Sequence, residues 1–127
     1  MLFRSAHIVT PLADAVGADA FSSLAAKREW LETDQAKAFM RAYRKARAWL
    51  IATNASDVAK AEGSFFKGTD ASVLADTIAA YQKLGMWSAH VDITRPAFEA
   101  TVDIFQHAGL IKKRYAYEDV VTAPPSG

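Results

Sequence analysis

The sequence predicts a mostly α-helical chain with one or two short strands near its amino terminus, and three observations carry that expectation. Alanine supplies 26 of the 127 residues, and alanine enters a helix without giving up side-chain entropy. Only six glycines and four prolines interrupt the chain. Apolar residues recur at three- and four-residue steps over 34–53 and 70–84, whereas strand-like runs are confined to Ala6–Thr10 and Phe21–Lys27. The large core-forming residues number 39, enough for one modest core.

Taken in order, Met1-Leu2-Phe3-Arg4-Ser5 has no capping or periodic logic and reads as an artificial start, to be set aside from the fold. Residues 6–20 are mixed, with Pro11 and Gly17 as punctuation and a short helical stretch at Leu12–Val16. Phe21–Lys27 is the best strand candidate. Trp30-Leu31 forms a short helical turn before the cap of the long helix at Thr33-Asp34. In that helix Phe39, Ala42, Tyr43, Ala46 and Leu50 form the expected buried stripe, with Arg41, Arg44 and Lys45 opposite.

Asn54 ends the long helix, and Ser56-Asp57 caps a successor that Gly63 stops. Phe65-Phe66 falls in a loop. Thr69-Asp70 opens a helix with the stripe Leu74, Ile78, Tyr81 and Leu84, and Gly85 closes it. Residues 86–94 are irregular or briefly extended. Arg95-Pro96 starts the next helix with proline at its first position, where its missing N–H costs nothing; Phe98, Val102, Phe105 and Ala108 are its expected buried face. Tyr117–Val121 makes a last turn before the tail at 122–127.

Composition excludes several functions. The formal charge is +1, far from the basic excess that a phosphate backbone requires, so nucleic acid is not an expected partner. No apolar run is long enough to span a membrane, and no signal-peptide pattern stands at the amino terminus. The chain has no cysteine, which removes disulfides, thiolate nucleophiles and sulfur-ligated metals. His107 follows Asp103 by four residues, but two groups do not hold a metal, and His90-Val91-Asp92 adds no third ligand nearby. Nucleophile elbows and phosphate loops are absent. Glu62, Asp70, Asp76 and Glu99 are accounted for as caps or solvated positions, so no acid/base pair stands out and no enzyme is expected. Lys37, Arg41, Arg44, Lys45 and Arg47 read as a solvated helix face without interleaved aromatics. Of Trp30, Trp49 and Trp87, the last stands in an irregular loop, where binding residues concentrate.

Several segments have a familiar order: Phe21–Thr33, Ala38–Ala46, Tyr81-Gln-Lys-Leu-Gly-Met-Trp87, Phe98–Leu110 and Tyr117-Glu-Asp-Val-Val121. Together, over roughly residues 13–121, the chain resembles the carboxyl-terminal part of ABC-transporter substrate-binding proteins of the nitrate/sulfonate/taurine group, which includes thiamine-precursor binders. The resemblance implies an α/β fold of the type II periplasmic-binding class, with residues 6–121 forming the carboxyl-terminal part of a two-lobed domain. It implies capture of a small anionic or zwitterionic solute by lobe closure, delivery to an ABC permease, a monomeric state, and a periplasmic or exported, lipid-anchored setting for the full-length protein. Cofactors and metals are not implied. Within this segment Phe21, Ser22 and Ser23 are the expected ligand-binding residues, since hydroxyls and backbone N–H groups at a strand end hold oxyanions. The alternative is a self-contained helical protein-interaction or regulatory module with Phe65, Phe66 and Trp87 on an exposed apolar patch.

Overall fold

The structure is a computed structural model and describes residues 17, 19, 20 and 22–126. Among these, regular structure is helical throughout: α1 (Arg28–Leu31), α2 (Asp34–Ala52), α3 (Ala55–Glu62), a 3-10 turn (Gly63–Phe65), α4 (Ala71–Lys83), α5 (Arg95–His107) and α6 (Tyr117–Val120). The α/β expectation is therefore corrected. Residues 22–27 run as irregular, exposed chain with no strand beside them, and a lone extended segment has no ladder to satisfy its backbone. With no strand among the described residues, the type II periplasmic-binding architecture and the resemblance built on it are not borne out. The strand expected at Ala6–Thr10, the helical stretch at Leu12–Val16 and Phe21 itself lie outside the described residues.

Helix starts follow local chemistry. The side chains of Thr33, Asn54, Asp70 and Thr94 accept the backbone N–H groups of Ala36, Asp57, Ser72 and Ala97, each satisfying one orphan donor of a first turn. Asn54, rather than Ser56-Asp57, caps α3. Gly85 has φ +65°, the left-handed geometry that a residue with a Cβ adopts only at a cost, and it closes α4.

The chain divides into two units. One comprises Ala26–Asp92 with residues 123–126, and its core is Val58, Ala59, Leu74 and Ile78, joined by Leu50, Ala55, Ala75 and Trp87. Here α3 packs against α4. Gln82 on α4 donates from one Nε2 to the carbonyls of Leu50 and Thr53, both at 2.8 Å, so it caps the end of α2 that would otherwise leave acceptors unpaired. Gln82→Ala is expected to lower stability by about 1–2 kcal/mol, read as a shifted urea midpoint with an unchanged slope; no shift would mean that water replaces both bonds. Arg47 of α2 reaches the Ser88 carbonyl through Nη2 at 2.7 Å and Nε at 3.1 Å, fixing the irregular segment after α4. Arg44 holds the Pro125 carbonyl at 2.9 Å.

The other unit brings together the described residues before Ala26 and Ile93–Thr122. Ala97, Phe98 and Val102 of α5 are its buried side chains among the described residues. The Phe98 ring meets Tyr117 edge-on at 5.6 Å, and the Tyr117 hydroxyl donates to the Ile93 carbonyl at 2.6 Å. Arg95 pairs with Glu118 and lies 4.6 Å from the centre of the Tyr117 ring, a cation over an aromatic face. The Ala20 N–H reaches the Thr101 hydroxyl at 2.8 Å, tying the early chain to α5.

The face that α2 buries differs from the expected stripe. Ala36 and Met40 are buried and Tyr43, Arg47 and Leu50 half-buried, while Phe39, Ala42 and Ala46 are exposed. In the same way Tyr81 and Leu84 on α4 remain exposed although Leu74 and Ile78 are buried. Along an alanine-rich helix two neighbouring apolar stripes are equally periodic, and tertiary packing decides which one turns inward.

Candidate functional site

Of the candidate ligand residues the structure describes Ser22 and Ser23. Ser22 is exposed, and the Ser23 hydroxyl donates to the Ala20 carbonyl at 2.7 Å in a local turn; Phe21 lies outside the described residues. Asp103 turns to Arg114, whose guanidinium also takes Glu99 and Gln106, rather than joining His107. His90 stands 3.4 Å from Asp92 through Nδ1, with no third ligand in reach. Among the described residues no three His, Asp or Glu side chains come together as a metal group.

The perturbed carboxylates are structural. The Ser72 hydroxyl and the Ser72 and Val73 backbone N–H groups hold Asp70 below the usual carboxylate range, as an N-cap requires. The side-chain hydrogen bond from Lys60, with that from Asn54, does the same to Asp57. Glu118 is lowered by Arg95. Each of these groups is engaged by its own neighbours.

What the surface does present is apolar. After α3 the chain makes two successive hydrogen-bonded turns, from the Phe66 N–H to Gly63 at 3.2 Å and from the Thr69 N–H to Phe66 at 3.0 Å. Gly68 takes φ +91° to complete them. This geometry holds two adjacent phenylalanines outward, with Phe65 83% and Phe66 45% exposed. Trp87, expected beside them, instead packs half-buried against the α3–α4 core, its ring 5.5 Å from Tyr81. The loop position of Phe65-Phe66 is readable in the sequence; its exposure is not, because it depends on which elements cover it.

The solute-capture reading is also corrected. Closure of two lobes needs a sheet in each lobe to carry the cleft residues, and the described residues contain no strand. The sulfonate/nitrate/taurine assignment and the pairing of a small anionic or zwitterionic solute with an ABC permease rested on that architecture and fall with it. No described helix is long and apolar enough to cross a membrane.

No family model matches the chain, and no solved structure matches it. The chain is similar to a Bacillus subtilis (strain 168) protein described as "Putative binding protein YtlA", with 26% identity over 117 residues, which make up 91% of this chain and 35% of that protein. The chain thus spans about a third of the length of the curated relative it matches.

Proposed function

We propose that the chain is a helical protein-interaction module that acts by binding rather than by catalysis. The observation that supports this most is the pair Phe65-Phe66, held out on a hydrogen-bonded turn. Leaving a phenylalanine in water forgoes about 2 kcal/mol of burial, and two adjacent ones make an anchor of the kind that fills a partner's apolar pocket. The Bacillus protein it resembles is described as a binding protein, which accords with a binding role. An exported setting is part of the proposal; a cysteine-free chain suits an oxidising compartment as well as a reducing one.

The test is photo-crosslinking in cells from a benzoylphenylalanine at position 66. A discrete adduct to another protein that disappears in the Phe65→Ser variant is expected. The unfolding free energy of that variant should change by less than about 0.5 kcal/mol, because the ring is exposed. Absence of an adduct, or one indifferent to Phe65, would overturn the proposal.

A further inference from the structure

The outward face of α2 is a second surface, separate from the Phe65-Phe66 turn. Opposite the buried Ala36 and Met40 and the half-buried Arg47 lie Ala38, Arg41, Ala42, Lys45 and Trp49, at three- and four-residue steps and all exposed. Five basic residues stand on α2 against a single acidic one, Asp34, although the whole chain is nearly neutral. Three of the five are engaged: Lys37 with Asp34, Arg44 with the Pro125 carbonyl and Arg47 with Ser88. Arg41 and Lys45 have no carboxylate partner among the described residues, and between them and the end of the helix stands Trp49, 43% exposed.

The sequence reading of this face as purely solvated missed the tryptophan, because the stripe expected to be buried differs from the one that is. Trp49 joins two unpaired cations to an apolar line that alanines keep low, so another helix can approach closely. We propose that this face docks an acidic amphipathic helix of a partner protein: its apolar side covers Trp49, Ala42 and Ala38, and its carboxylates meet Arg41 and Lys45. Charge complementarity selects that occupant. A cationic helix would be repelled, and two free cations are few for holding an anionic membrane, where each basic side chain adds only a small increment.

The experiment uses the full chain and two fluorescein-labelled peptides of about 18 residues, both with leucine on one helical face and flanked either by glutamate or by lysine, with binding read by anisotropy. Phosphatidylglycerol/phosphatidylcholine vesicles form a third arm. The acidic peptide should bind and the basic one should not, and binding should fall as salt rises from about 50 mM to about 500 mM. Arg41→Glu with Lys45→Glu should weaken binding about tenfold or more, and Trp49→Ala should also weaken it. These positions are exposed, and unchanged circular dichroism melts will show that the variants fold. A Phe65→Ser/Phe66→Ser variant should bind the peptide normally, so failure here and failure of the proposed Phe65-Phe66 contact are separable. Equal binding of both peptides, no binding at all, indifference to the charge reversal, or tighter binding to vesicles than to the acidic peptide would each overturn the proposal.

Discussion

Replacing Ile78 with alanine is expected to destabilise the unit built on α2, α3 and α4 by about 3 kcal/mol. The side chain is buried within a cluster of only four residues, Val58, Ala59, Leu74 and Ile78. Three methylene equivalents leave that cluster, and the cavity they leave adds to the lost burial. A small core has no reserve, so a loss of this size removes much of the margin of an ordinary domain. The measurement is urea unfolding followed by far-UV circular dichroism, with Val73→Ala as comparator. Val73 sits on the same helix but is exposed, and its truncation should cost less than about 0.5 kcal/mol. Equal effects at the two positions would show that the α3–α4 contact is not the core.

The second large effect is expected from Phe98→Ala, at roughly 3–5 kcal/mol. Phe98 is the one large aromatic buried among the described residues of its unit, and its ring carries the edge-on contact with Tyr117. Removing it strips α6 of its packing partner, and the Arg95–Glu118 pair alone, exposed to water, cannot hold the short helix. Amide exchange should then accelerate in residues 95–107 and 117–120 while the amides of α3 and α4 keep their protection. Uniform acceleration across both groups would instead mean that the chain unfolds as one cooperative body.

The helices were legible in the sequence wherever their signals were local. Thr33, Asp70, Pro96 and Gly85 mark boundaries that the structure reproduces within a residue or two, because caps and left-handed glycines act through atoms a few residues away. The strand at Phe21–Lys27 failed for the opposite reason. A short apolar run becomes a strand only if another strand lies beside it, and nothing within the run encodes that neighbour. Where the described part of that run passes, it is exposed chain. The resemblance to two-lobed binding proteins inherited the same error, since it assumed a sheet that the described residues do not contain.

The surface was less legible than the fold. Gln82 and Ser88 meet α2 across 29 to 41 residues of chain, and no spacing rule announces such bonds. The buried face of α2 turns on a choice between Ala36–Met40 and Phe39–Ala46, two stripes that periodicity alone weighs alike. Phe65-Phe66 could be placed in a loop, but its status as an exposed anchor needed the turn geometry around Gly63 and Gly68.

The way the chain visits its two units also orders events in time. The contacts among α2, α3 and α4 join residues close in sequence, so they need only short loops to close and can form as soon as that stretch exists. The bond from Ala20 to Thr101 closes a loop of 81 residues, and it must wait for α5 while losing more chain entropy on closure. During synthesis the helical hairpin of α3 and α4 is therefore the early structure, and the unit around Phe98 is the late one.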